Sequence, residues 1–289
     1  MLNKKIAFIG SGAMGEAMIA GLLRQGLAQP EHLLTADVHA ARVSDLQHRY
    51  GTHPFTDNRE AASQADLVVL SVKPQRLTEV LKGLRGAIPT HALVLSIVAG
   101  AKMSKISHGL SHEAVVRSMP NTPAQIGQGI TVWIPSPAVT EPQKTLARQL
   151  LSALGKEIEV DDENYLDMAT ALSGTGPAYI FLFMEAMIDA GVHMGFSRQV
   201  AEQLVVETIK GSVAYFEARN HKDQVHVAAL RNQVTSPGGT TAQALYYLEK
   251  AGFRTAVSRA IWAAYERSIE LGKEKTVHIP ETNSGTGGE

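Results

Sequence analysis

The chain is 289 residues long, 44% hydrophobic and 19% charged, with 25 glycines and 12 prolines. That length suggests about two domains at roughly 150 residues each, with enough apolar residue to bury a sizeable core. Lysine and arginine number 27 against 28 acidic residues, a formal net charge of -1, which leaves no excess positive charge to displace a nucleic acid's counterions. With no cysteine, disulfides, thiolate metal sites and cysteine nucleophiles are excluded. A cytosolic (cytoplasmic) enzyme with neither nucleic-acid nor membrane partner fits this composition.

Residues 1–5 are too few and too polar to lead a signal peptide. Three uncharged runs invite comparison with a membrane span. Residues 86–101 are short and contain a proline; 118–140 are broken by Pro120, Pro123, Pro135 and Pro137; 168–184 contain Gly174, Gly176 and Pro177. None is expected to span a membrane.

In chain order, residues 5–9 form an apolar run ending at glycine, the pattern of a buried parallel strand. Residues 13–25 carry apolar groups at helical spacing. Strand-like runs follow at 33–36, 66–72, 92–98, 115–119 and 130–134, with helical patterns at 39–50, 75–85 and 141–154. Strand alternating with helix predicts an α/β, doubly wound, largely parallel sheet over residues 1–160.

Beyond about residue 160 the strand signals stop. Helical periodicity covers 163–172, 177–194, 198–219, 223–233, 241–251 and 254–272, punctuated by Gly174-Thr-Gly-Pro177 and Ser236-Pro-Gly-Gly239. Residues 161–289 therefore read as an all-α domain, with a small, polar tail at 283–289 expected to be disordered. The run Tyr179–Met184 is apolar around most of its circumference, as in a helix buried among others or across a subunit interface.

Gly10-Ser11-Gly12-Ala13-Met14-Gly15 closes the first strand and opens the first helix. Gly10 permits the turn, Gly12 lets backbone approach a pyrophosphate, and Gly15 lets helix and strand pack closely. The helix N-terminus adds free N–H groups for the phosphates. Asp37 ends the second strand, 22 residues past Gly15, where a carboxylate either binds the adenosine ribose, favouring NADH, or caps the helix at 39–50. Arg42 and His39 lie close by and could tilt the site toward NADPH. Two further loops should line the groove: Ser71-Val72-Lys73-Pro74 and Ile97-Val98-Ala99-Gly100. Lys73 is either a cofactor contact or a solvated lysine, and Asn58 is added to the candidate cofactor contacts.

Thr235-Ser236-Pro237-Gly238-Gly239-Thr240-Thr241 precedes a helix. Its backbone N–H groups and hydroxyls form either a carboxylate cradle or an ordinary capped turn.

The stretch 230–245 containing that turn resembles the signature of pyrroline-5-carboxylate reductases. So do Ser173-Gly-Thr-Gly-Pro-Ala-Tyr179, Met119-Pro-Asn-Thr-Pro123 and Ser71-Val-Lys-Pro74, and with the glycine loop the resemblance runs from about residue 4 to 271. It implies a Rossmann-like domain followed by a helical dimerisation domain. The active unit would be a homodimer, and in some relatives dimers assemble into decamers. It also implies reduction of L-1-pyrroline-5-carboxylate to L-proline by NADPH or NADH, the last step of proline biosynthesis. By similarity Thr241 is the catalytic candidate, hydrogen-bonding the ring nitrogen. Ser236, Gly238, Gly239 and Thr240 would hold the carboxylate, with Glu163 contacting the ring or merely complementing a helix dipole. Ala13 stands where many relatives have Asn, Asn232 where several have Asp, and Asp37 where NADP-preferring members have a neutral or basic residue. Residues 220–227 are longer than in some relatives. A β-hydroxyacid dehydrogenase is disfavoured because the helix at 178–194 holds no Lys and no Asn. A non-catalytic dinucleotide sensor would not need the 235–241 turn. The 11 histidines show no metal-binding spacing. Trp133 and Trp262 read as core or interface residues.

Overall fold

The computed structural model describes residues 2–273; the tail at 283–289 lies outside them. Eight strands form one sheet: β1 (Ile6–Ile9), β2 (Leu33–Ala36), β3 (His53–Phe55), β4 (Leu67–Leu70), β5 (Leu93–Ser96), β6 (Val115–Met119), β7 (Gly129–Pro135) and β8 (Gly155–Glu159). Their spatial order is β3-β2-β1-β4-β5-β6-β7-β8. All neighbours are parallel except β6 and β7, which run antiparallel. Strand direction through β1 reverses the winding, because β2 lies on one side and β4 on the other. The crevice beyond their carboxyl ends is where such sheets bind ligands.

Six helices cover the two faces: α1 (Ala13–Arg24), α2 (Ala40–Tyr50), α3 (Asn58–Ser63), α4 (Leu77–Leu84), α5 (Met103–Leu110) and α6 (Glu141–Ser152). β1, β2, β4 and β5 are buried at every position, as strands sandwiched between helices must be. Successive residues feed opposite cores: Ile6 and Phe8 join Leu22, Trp133 and Leu150, whereas Ala7 and Ile9 join Leu70, Leu81 and Ile106.

Strands β3 and β8 and helices α3 and α5 were not anticipated. β3 is three residues long with a proline at its centre, and β8, at a sheet edge, holds three charged residues, Lys156, Glu157 and Glu159, and exposes its one large apolar residue, Ile158. Charged edge strands resist further pairing and lack an apolar signature.

The helical part comprises α7 (Asn164–Ala169), α8 (Gly176–His193), α9 (Arg198–Asp223), α10 (Val227–Gln233), α11 (Thr240–Lys250) and α12 (Phe253–Gly272). Here the glycine-proline punctuation does not separate two helices. A π-turn at Thr170–Gly174 carries α7 into α8, and both the Thr175 N–H and its hydroxyl donate to the Thr170 carbonyl at 2.8 Å. Pro177 sits in the first turn of α8, where its missing N–H costs nothing. The resulting Asn164–His193 stretch is long and apolar enough, by length and composition, to cross a membrane, contrary to the expectation from its glycines and proline. Its apolar side chains are uncovered within one chain: Phe181 is 61% exposed, and Trp262 on α12 is 62% exposed. Trp133, by contrast, is fully buried.

Candidate active site

The glycine loop is built as its sequence requires. Gly10 has φ +87°, and a Cβ there would meet Val72 Cγ1 at 2.6 Å. A Cβ on Gly15 would stand 2.9 Å from the Gly10 carbonyl and 3.1 Å from Ser71 Oγ. The Ser71 hydroxyl itself donates to the Gly10 carbonyl at 2.5 Å. So the loop after β4 grips the loop after β1, and Ser71 and Val72 act first as scaffold. Gly12 differs. It is the N-cap of α1, no side chain caps the helix, and a Cβ there would meet nothing within 4 Å. The protein itself does not demand glycine at this position, whereas a close-lying pyrophosphate does. Ala13 is exposed and Met14 half-buried against the core.

Asp37 does not cap α2, whose N-cap is His39. Its Oδ2 accepts from the Ser11 N–H and its Oδ1 from the His39 N–H, both at 3.0 Å. The carboxylate thus pins the glycine loop to the end of β2. Ser11 is fully buried, and its hydroxyl donates to the Ala36 carbonyl. From the other side Arg42 Nε donates to the Ser11 carbonyl at 2.7 Å. Arg42 and Arg49 both donate to Glu16 in the first turn of α1, and the Tyr50 hydroxyl joins them at 2.9 Å. The Arg49 guanidinium, helped by Arg42 and Tyr50, holds the Glu16 carboxyl down to about 2 against the upward push of burial. This cluster was not anticipated beyond Arg42. Its signal was an acid in the first turn of a phosphate-binding helix.

The remaining cofactor candidates divide. Lys73 is exposed at the N-cap of a 3-10 turn. Asn58 is half-buried at the start of α3, beside the capping Asp57. Ile97 and Ala99 are half-buried after β5, but the Val98 side chain is turned into the core. The close approach at Gly100 is made by this chain's own α12: a Cβ there would meet Leu271 at 2.9 Å.

Glu163 stands at the N-cap of α7, yet its carboxylate serves other groups. Oε1 accepts from the Met103 N–H at 2.7 Å and from Arg117 at 2.9 Å. It therefore faces the N-terminus of α5 rather than completing α7. The buried Arg117 also reaches Asp167 at 3.2 Å, and Asp167 accepts from the Ser268 hydroxyl at 2.8 Å. An arginine within the apolar strand Val115–Met119 was the overlooked signal for this link between sheet and helices.

The 235–241 turn lies far from side-chain capping. Gly239 is the N-cap of α11 without a side-chain cap, so the capped-turn alternative does not hold. Gly238 has φ +72°, and the Gly239 N–H closes the turn onto the Ser236 carbonyl at 3.1 Å. Ser236 and Thr240 are exposed and Thr241 half-buried. Open N–H groups and free-standing hydroxyls at a helix N-terminus suit a carboxylate. α11 packs on α12, at the uncovered apolar side of the helices.

Comparison with known proteins gives this arrangement its relatives. A family model described as pyrroline-5-carboxylate reductase dimerisation matches residues 163–271, and one described as NADP oxidoreductase, coenzyme F420-dependent, matches residues 5–100. A pyrroline-5-carboxylate reductase of Synechocystis sp. is 40% identical over 273 residues, covering 94% of this chain and 100% of the relative. One of Methanosarcina acetivorans is 38% identical, covering 95% and 100%. The crystal structure of the Plasmodium falciparum pyrroline carboxylate reductase with NADP bound superposes with a TM-score of 0.85 at 34% identity, over 94% of this chain and 100% of that one. This chain belongs to the pyrroline-5-carboxylate reductase family.

Proposed function

We propose that the protein reduces L-1-pyrroline-5-carboxylate to L-proline with NADPH or NADH. The observation that carries this reading is the pairing of an uncapped, hydroxyl-lined helix N-terminus at 238–241 with a glycine loop whose Gly12 faces open space. The first suits a substrate carboxylate and the second a pyrophosphate.

A bound reduced nicotinamide would supply a hydride to the imine carbon of the ring, C2 of the pyrroline and C5 of the proline product, with the C=N π electrons going to the protonated nitrogen. The chain's own work is to hold and orient. Gly10, Gly12 and the amides opening α1 seat the pyrophosphate, while Asp37 fixes Ser11 so that those amides keep their direction. Amides near Gly239 and Thr240, with Ser236, hold the substrate carboxylate. The Thr241 hydroxyl hydrogen-bonds the ring nitrogen and so keeps its proton in place as the hydride arrives. Its unperturbed hydroxyl is a poor acid, so a protonated imine or a relayed water is the ultimate proton source. Ser71, Val72, Ile97 and Ala99 border the nicotinamide end, with Asn58 and Lys73 farther out. Glu163 acts through Arg117 and Met103 as a positioning group.

We place the boundary between the dinucleotide-binding part and the helical part at residues 160/161, just after β8. Association of two chains would cover Phe181, Trp262 and their apolar neighbours, with dimers free to assemble further. A cytoplasmic site of action belongs to the same proposal, resting on the bacterial and archaeal relatives.

The test is isotopic. Cofactor deuterated at the transferring position should yield proline carrying one deuterium at carbon 5, read by mass spectrometry. Unlabelled proline, or none, would overturn the assignment.

A further inference from the structure

We infer that Glu16 sets this chain's preference for the cofactor without a 2′-phosphate, by keeping Arg42 and Arg49 engaged beside the adenosine ribose. This rests on the dinucleotide site of the proposed function and adds its discriminating residue. The ribose end is located by Asp37, since a carboxylate ending the second strand of this fold meets the ribose hydroxyls, whereas a nearby arginine accommodates a 2′-phosphate. That arginine is present, but it is occupied. Arg42 Nε is on the Ser11 carbonyl at 2.7 Å, one terminal nitrogen is on Asp45 at 3.2 Å, and the other is on Glu16 at 2.5 Å.

Arg49 is committed in the same way. It donates to Glu16 at 2.5 Å and to Asp45 at 3.0 and 2.5 Å. The two arginines are thus balanced by Glu16 and Asp45, and the Asp37 carboxylate, held by the Ser11 and His39 N–H groups, leaves the pocket with a net negative charge. An arriving 2′-phosphate meets Asp37 directly and must draw Arg42 off a carboxylate that stays ionised at all physiological pH. A ribose hydroxyl asks for neither change. Glu16 also lies in the first turn of α1, its N–H bonded to the Gly12 carbonyl at 2.9 Å. One residue therefore couples the pyrophosphate helix to the two committed arginines.

The test uses the full-length protein and titration calorimetry with two fragments, 5′-AMP and adenosine 2′,5′-bisphosphate. These bind whether or not the protein turns over any imine, so failure here is distinct from failure of the reductase assignment. Glu16→Gln should tighten the bisphosphate about tenfold while 5′-AMP stays within about twofold. The gain should vanish in Glu16→Gln combined with Arg42→Gln. Equal effects on both fragments, or a gain that survives loss of Arg42, would overturn the inference. If Glu16→Gln does not fold, Arg42→Gln alone decides. Discrimination between the fragments should then change by no more than about twofold, because Arg42 is already committed. A larger loss of bisphosphate binding would show Arg42 reading the phosphate in the native protein and would overturn the inference.

Discussion

The guanidinium of Arg117 on β6 lies 3.2 Å from the carboxylate of Asp167 on α7, with both residues buried. This pair ties the sheet to the helical part, and Glu163 and Ser268 complete its hydrogen bonding. Removing one member leaves a charge without its partner in a dry site. Arg117→Met should therefore destabilise the fold by about 3 kcal/mol, measured by urea denaturation. A change below about 0.5 kcal/mol would mean the pair is energetically idle.

Thr241 offers a hydroxyl next to the proposed carboxylate cradle. Thr241→Ala should lower kcat by about 10- to 100-fold with cofactor affinity nearly intact. Steady-state kinetics and cofactor titration together check this. An unchanged kcat would remove Thr241 from the reaction.

Asp37 pins Ser11, and the proposed function sets it against the ribose. Asp37→Ser should raise the ratio of NADPH to NADH efficiency by about tenfold, and it should weaken both cofactors through the loosened loop. An unchanged ratio with weaker binding of both would leave Asp37 as a loop pin alone.

Glu16 carries a folded-state pKa of about 2, below its ordinary 4.5. A depressed carboxylate stabilises the fold fully above its unfolded pKa, and that contribution is lost as pH falls through the folded one. Native stability should therefore drop between pH 4.5 and about 2. Discounted for solvent screening, Glu16 accounts for about 1 kcal/mol of this. Acid titrations of stability should show a shallower limb in Glu16→Gln; identical limbs would contradict the assignment.

Phe181 on α8 is apolar and uncovered within one chain. Phe181→Asp should shift the protein from dimer to monomer in sedimentation velocity, since a charge cannot be buried there without a partner. A dimer of unchanged stability would place the interface elsewhere.

How far the sequence foretold these features depended on the range of the forces behind them. β2 and β6 match their expected limits, Leu33–Ala36 and Val115–Met119, because buried parallel strands are written as short apolar runs. β3, β8 and α5 are short or charged and carry no such run. The glycine loop was legible residue by residue: Gly10 and Gly15 answer local steric needs, and Gly12 answers the need of a close-lying pyrophosphate. Asp37 was legible only as a choice between ribose and cap, and its bond to the Ser11 N–H spans 26 residues. The bonds of Glu163 were hidden for the same reason: its partners, Met103 and Arg117, lie 60 and 46 residues away. The break expected at Gly174–Pro177 failed because a π-turn satisfies the backbone that glycine and proline usually interrupt.

The most direct test follows reduced-nicotinamide absorbance with pyrroline-5-carboxylate present, in separate runs with NADH and NADPH. The account predicts rapid oxidation that depends on the substrate, faster with NADH. No substrate-dependent oxidation with either cofactor, in protein that still binds them, would contradict it.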